Sequence, residues 1–132
     1  MSEGNLEAIR AVYERFSKGD FRASLDVVDP LVLFVQRPGF PESGTYLGIA
    51  RLVEYTRGFL EPWSHITIEA EDIADAGDSV VATVRQRGVG RESGAATELR
   101  YFQVWSFRDR KVIRLENFRT EAEALEAAGL RE

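Results

Sequence analysis

Part-way along this chain of 132 residues the period of the apolar positions changes, and that change constrains the fold more than any other feature. As far as Pro62 they mostly recur every three or four residues, whereas residues 65–75, 79–89, 97–108 and 111–118 alternate with a period of two. A period of about 3.6 buries one stripe of a helix, and a period of two buries one face of a strand. The second half therefore reads as four strands. They are joined by Ala76-Gly77-Asp78, by the glycine-rich stretch Gly88 to Gly94 and by Asp109-Arg110, and links this short make successive strands pair antiparallel.

In the first half, Leu6, Ile9, Val12, Tyr13 and Phe16 form one stripe of a helix over residues 5–18, which Gly19 can close. Asp20 is a good N-cap for a short second helix from Phe21 to Val28, and Pro30 stops it. Leu31 to Val35 reads as a first strand. Arg37 to Gly48, with two prolines and three glycines, reads as a loop at the edge of the structure. Ile49, Leu52, Val53, Thr56, Phe59 and Leu60 give a further helix that ends at Pro62. A last helix starts at Thr120 with a capping box to Glu123 and runs to Gly129. No repeat or linker interrupts the order, so residues 1–132 read as one α+β domain. Its curved antiparallel sheet is expected to wrap the helices and to bury Leu6, Ile9, Phe16, Leu52 and Phe59.

Charge and residue usage narrow the function classes. The 17 Lys and Arg are interleaved with 22 Asp and Glu for a net charge of −5, which argues against a nucleic-acid partner, since phosphate binding needs a basic patch. With no cysteine and a single histidine, His65, there is no disulfide, no thiolate nucleophile and no ordinary zinc or iron ligand set. No cofactor is expected. No apolar run approaches the roughly 20 residues of a membrane span, and the first residues lack a signal-peptide pattern, so the expected location is the cytoplasm, with no membrane partner.

Several segments carry a family likeness. Ile9 to Asp20, an aromatic helix running into a Gly-Asp break, is one. Gly44-Thr45-Tyr46-Leu47-Gly48, Ala76-Gly77-Asp78-Ser79-Val80-Val81, and Gln103 to Arg108 followed by Lys111-Val112 are the others. Together they resemble the nuclear transport factor 2-like superfamily, in particular its SnoaL-like domains, related to polyketide cyclases and ketosteroid isomerases. The resemblance implies a cone-shaped α+β fold of cystatin-like type with a pocket at the wide end. It implies no single chemistry, because members include isomerases, cyclases, dehydratases and proteins without known activity.

The ketosteroid isomerase pattern does not carry over. It needs a tyrosine, a carboxylate base and a protonated aspartate, and alignment on the Gly-Asp break puts Val12, Val35 and Gln103 in those places, with Tyr13 one residue out of phase. A SnoaL-type acid/base would be Asp72, if it shares a strand face with Ile66, Ile68, Ala70 and Ala74, whose apolar surroundings would raise its pKa. Gln103, in a row with Tyr101, Trp105 and Phe107, and Asn117, on the face of Ile113 and Leu115, can orient a ligand carbonyl or hydroxyl, or be satisfied by backbone or water. Arg85 and Arg87 can bind a carboxylate or pair with an acid across the hairpin. His65 reads as a surface residue. Phe16, Phe34, Tyr55, Phe59 and Trp63 divide between core and pocket lining in a way the sequence leaves open.

The resulting expectation is a SnoaL-like domain that binds a small, largely hydrophobic molecule and that either catalyses a cofactor-independent isomerisation, cyclisation or elimination or serves as a non-catalytic binding module. A homodimer is expected through the outer face of the sheet, where Phe102 and Val104 ask for cover.

Overall fold

A computed structural model describes residues 2–130. Helix α1 spans Ser2–Phe16, α2 Ile49–Leu60 and α3 Glu121–Ala127; the strands are β1 Val28–Gln36, β2 Gly44–Leu47, β3 Trp63–Asp75, β4 Ser79–Gly90, β5 Ala96–Arg108 and β6 Lys111–Phe118. All six strands form one sheet in the order β2-β1-β6-β5-β4-β3, with β2 and β3 as open edges. The four alternating stretches are strands β3 to β6, paired antiparallel as their short links require. The link Asp109-Arg110 has both residues at positive φ, 53° and 69°, the backbone of a two-residue hairpin turn whose twist matches that of its strands.

Three features depart from the sequence reading. The sheet is mixed rather than antiparallel, because β1 lies beside β6 in the same direction. The segment read as an edge loop contains strand β2, paired with β1. The short second helix is a single 3-10 turn over Ala23–Asp26, and Val28 already belongs to β1. Pro30 is accommodated there because the β1–β6 register slips between Val28 and Leu33, where a missing N–H costs no ladder bond.

The concave face of the sheet packs on α1 and α2 around one core that includes Ile9, Val12, Leu52, Val80, Val84 and Trp105. Of the five residues expected inside, Ile9 and Leu52 are buried, while Leu6, Phe16 and Phe59 are half-buried against the core. The convex face carries a second cluster. There Ala124 and Leu125 of α3 cover Val81, Val104, Phe102 and Phe118. Thr120 Oγ1 caps α3 by accepting the N–H of Glu123 at 3.2 Å, and Arg37, lying 4.8 Å over the Phe118 ring and bonding Glu116 at 3.2 Å on β6, pairs with Glu123 of the helix at 3.8 Å. The cover that Phe102 and Val104 call for thus comes from within the chain, and Val104 is left 3% exposed. These residues give no argument for a second copy. Among the described residues no helix is long and apolar enough to cross a membrane.

Ala124 is fully buried where α3 meets the sheet. Ala124→Asp should therefore cost roughly 2–4 kcal/mol by placing an unpaired carboxylate there. Urea unfolding should show this, with exposure of the convex apolar cluster read as increased binding of a hydrophobic dye.

Candidate functional site

Between the concave face, α1, α2 and the segment after β1 lies a cavity of about 570 Å³, within the usual range for small-molecule sites of about 300–1,000 Å³. The candidate site residues other than Asp72, Arg85 and Arg87 line it. Tyr101, Gln103, Trp105 and Asn117 come from the sheet, Phe34 from β1, Phe16 from α1, Tyr55 and Phe59 from α2, and Trp63 from the start of β3. Trp63 can reach its position because Gly88, the partner of Ile66 on β4, has no side chain: a Cβ there would meet the Trp63 indole at 2.7 Å and the His65 carbonyl at 3.2 Å. The glycine, which lies within β4, is needed for this close approach.

The exceptions are Asp72, Arg85 and Arg87. Asp72 is exposed and does not line the cavity. The β3–β4 register slips between Ala70 and Asp72, so that Ala70 pairs with Val84 but Asp72 with Thr83 and Ile73 with Ala82. This bulge moves Ile73 onto the concave side with Ile66 and Ala70 and turns Asp72 outward, a change of face that uninterrupted alternation does not foresee. Arg85 lies on the convex side, bonded to Glu98 at 3.0 Å and near Glu71 at 4.0 Å. Arg87 bonds Glu69 at 3.1 Å and Arg100 bonds Glu71 at 2.7 Å. These arginines pair with acids across strands. His65 is exposed, as its sequence context suggests.

Away from its rim the cavity's hydrogen-bonded polar groups are neutral and joined in short relays. The Trp105 indole N–H donates to the Tyr13 hydroxyl at 3.0 Å, and that hydroxyl donates to Gln103 Oε1 in a short hydrogen bond. Asn117 Nδ2 donates to Gln36 Oε1 at 2.8 Å, and Gln36 Nε2 donates to the Tyr55 hydroxyl at 2.7 Å. Tyr101 donates to Gln86 Oε1 at 3.0 Å. The charged residues of the lining, among those described, are Glu42 and Glu98, both exposed at its rim.

Gln36 and Gln86 escaped the sequence reading, although each was visible as a polar residue in phase with buried apolar ones, Gln36 with Val32 and Phe34, Gln86 with Val84 and Ala82. Tyr13 was there as a helix residue but out of phase with the isomerase alignment; in the structure it is the phenol that touches Gln103. Even so, no isomerase site results. On β1 the cavity-lining neighbours of Val35 are Phe34 and Gln36, and on β5 Gln103 lines the cavity, so a ring and amides stand where that chemistry needs carboxyl groups.

Burial controls the phenols. It raises Tyr13 well above the ordinary tyrosine value, an effect partly offset by the bond from Trp105. It raises Tyr101 strongly and Tyr55 to about 12, with smaller contributions from neighbouring Tyr46 and Glu42. All three are protonated at neutral pH and can donate hydrogen bonds, but none is poised to act as a base.

A family model for the SnoaL-like domain matches residues 9–115. The chain belongs to the SnoaL-like family. Solved structures agree on the SnoaL-like fold. A nuclear transport factor 2-like protein from Burkholderia thailandensis is 26% identical with a TM-score of 0.78, over 96% of this chain and 98% of that one. TerC, co-crystallized with polyporic acid, is 25% identical with a TM-score of 0.76, over the same shares of the two chains. A protein of ketosteroid isomerase-like fold from Catenulispora acidiphila, in complex with trimethylamine, is 12% identical with a TM-score of 0.73, over 95% of this chain and 94% of that one, and shows the fold alone. No curated protein matches the chain.

Two outcomes are expected of this SnoaL-like domain. From its volume alone Gln103→Leu looks harmless to the fold, but Gln103 Oε1 is the acceptor for buried Tyr13, and losing it strands a donor at about 1–3 kcal/mol. In a Tyr13→Phe background the same replacement should cost about 1 kcal/mol less, a coupling that a double-mutant cycle in urea will measure. The second outcome concerns alkaline pH. Folded-state phenol pKa values above the unfolded value of about 10 mean that the native state keeps protons the unfolded chain loses. Their contribution is full below about pH 10 and is lost as pH rises through the raised values. The phenolate absorbance of Tyr13, Tyr55 and Tyr101 should accordingly appear together with loss of the fold in an alkaline titration, and tyrosine-to-phenylalanine replacement should remove the corresponding part of the signal.

Proposed function

We propose that this SnoaL-like domain binds a small, flat, largely hydrophobic molecule in the cavity and holds its polar end through neutral hydrogen bonds, without acid–base catalysis by its own side chains. The observation that carries the reading is the make-up of the wall. Rings from α1, α2, β1, β3 and β5 surround a space of about 570 Å³, and its polar groups away from the rim are amides, phenols, the Ser24 and Thr56 hydroxyls and the Trp105 indole. Apolar burial at about 25 cal/mol per Å² supplies affinity for a ring system, while a few fixed polar groups orient it.

Isomerisation, cyclisation or elimination by general acid/base chemistry would need a group that titrates near neutral pH within reach of the ligand. The carboxylates of the lining are at the rim, Asp72 is on the opposite side of the sheet, and the buried phenols hold their protons. Binding is therefore favoured over catalysis. That TerC, 25% identical over nearly its whole length, was solved with polyporic acid is in keeping with a small organic ligand.

Naphthalene titrated into the ¹⁵N-labelled protein tests the proposal. It should shift, saturably, the amide signals of residues around the cavity. Thr56→Trp, which fills the space from α2 at a half-buried lining position, should weaken that binding by about tenfold or more, the loss of roughly 1.4 kcal/mol of apolar contact. Shifts confined to the convex face, or equal binding by the variant, would show that the cavity is not the site.

A further inference from the structure

The cavity wall holds two polar groups that the protein itself leaves unused. Ser24 and Gln103 both line it, and both are more than nine-tenths buried, at 7% and 9% exposure. Buried polar groups as a rule find a partner. Among the described residues Ser24 Oγ and Gln103 Nε2 have none, yet neither is closed off, unlike Asn117 Oδ1, which is sealed and takes no part here. The surface that remains to them opens on the cavity they line.

Ser24 sits in the 3-10 turn Ala23–Asp26. A serine or threonine in helical backbone can give its proton to a carbonyl three or four residues back, as Ser17 Oγ does to Glu14 at 2.7 Å and Thr56 Oγ1 to Leu52 at 2.9 Å. Ser24 does not. Its backbone carbonyl accepts the Val27 N–H at 3.1 Å, while its hydroxyl is left to the cavity, whose lining also includes Phe16 and Phe21. The turn is held from both sides. Arg15 of α1 donates to Asp20 at 2.9 Å before it and to Asp26 at its end, and Ala23 is fully buried in the core.

Gln103 is oriented by tryptophan chemistry. An indole N–H can only donate, so the Tyr13 oxygen that receives it sends its own proton on to Gln103 Oε1. Turning the amide over would strand that proton as a buried unpaired donor. The Gln103 nitrogen is thereby a donor toward the cavity.

We infer that Ser24 is a second anchoring residue and that the ligand carries two oxygen functions, a carbonyl that accepts from Gln103 Nε2–H and a further hydroxyl or carbonyl oxygen that bonds Ser24 Oγ. The inference rests on the ligand-binding proposal and adds the chemical class to it. A hydroxyl both donates and accepts, so Ser24 takes either kind of oxygen, whereas an amide nitrogen takes only an acceptor. Both groups belong to one cavity, and a flat ring system that fills it meets both. Tyr13, Trp105 and Arg15 act as positioning residues.

Probes of similar size separate the contributions: naphthalene, which has no oxygen; 1-tetralone, which has one carbonyl; and its 5-, 6- and 7-hydroxy derivatives, which add a second oxygen at different separations. Dissociation constants come from ¹H–¹⁵N spectra of the full-length protein, which also show the Gln103 side-chain NH₂. That group should move downfield with the tetralones and not with naphthalene. Ser24→Ala should reduce the affinity of the tightest hydroxytetralone, taken relative to that of naphthalene, by about fivefold or more, the loss of one hydrogen bond. Its unfolding midpoint in urea should equal or exceed that of the wild type, because the hydroxyl has no partner to lose in the free protein. A lowered midpoint would mark the hydroxyl as structural and overturn the inference. So would Ser24→Ala changing the affinities of naphthalene and the hydroxytetralones by the same factor, or a Gln103 NH₂ that stays in place with every tetralone; with naphthalene bound in the cavity, the binding proposal then stands without it. If none of the probes perturbs the cavity, the binding proposal itself fails.

Discussion

The hydrogen bond from the Trp105 indole to the Tyr13 hydroxyl, passed on to Gln103, joins the helical and the sheet halves of the molecule at its centre. Trp105 is fully buried and Tyr13 nearly so. Their rings meet edge to face with centroids 5.9 Å apart, so apolar area and a polar relay are satisfied by the same contact. The relay fixes α1 against β5 in rotation as well as position, because a turn of the helix by one residue would bring Val12 to Gln103 and leave two buried polar groups stranded. Tyr13 also meets Phe16 edge to face at 5.5 Å, and Phe16 in turn leads to the cavity wall. The shape of the cavity and the direction of its donor at Gln103 thus derive from one donor-only side chain.

Much of this was legible in the sequence, and the features that were not share a physical origin. Helices α1, α2 and α3 and strands β3 to β6 announce themselves through local period, caps and short turns, which depend on residues close along the chain. The aromatic rows and the amides Gln103 and Asn117 were legible for the same reason, since uninterrupted alternation on β5 and β6 fixes which residues share a face. The parallel pairing of β1 with β6 joins segments some 80 residues apart and has no turn to mark it. Strand β2 is four residues long and is created by its partner. Asp72 was misplaced because one extra residue at a bulge inverts the face of the residues beyond it, and Arg85 because a cationic residue on a strand reads alike whether it faces a cavity or a neighbouring glutamate.

The two faces of the sheet use polarity differently. On the convex side near β3 and β4, arginines and glutamates pair across strands while exposed to water, and such pairs are worth little to stability, typically about 0–1 kcal/mol each. They mainly fix which side faces solvent. Further along that face, α3 takes over with an apolar cluster and one well-buried carboxylate, Glu116, held by Arg37 and Arg114 at 3.2 and 3.0 Å. On the concave side no charge is buried among the described residues, and the polar groups form short relays that each end at the cavity. Charge is placed on the outside and neutral hydrogen bonds on the inside.

That division explains why the cavity suits retention of a ligand better than its transformation. A carboxyl group at Gln103 or Gln36 would have its pKa raised by the surrounding rings, which is how related chemistry obtains an acid or base near neutral pH. An amide has the same size and planarity but no proton to give or take in that range, and it offers both a donor and an acceptor at every pH the fold survives. Once Tyr13 has claimed the oxygen of Gln103, the amide nitrogen remains as a donor whose character does not change with protonation. Binding strength should then depend on the hydrogen-bonding pattern and shape of the ligand rather than on the pH of the medium, up to the alkaline limit set by the buried phenols.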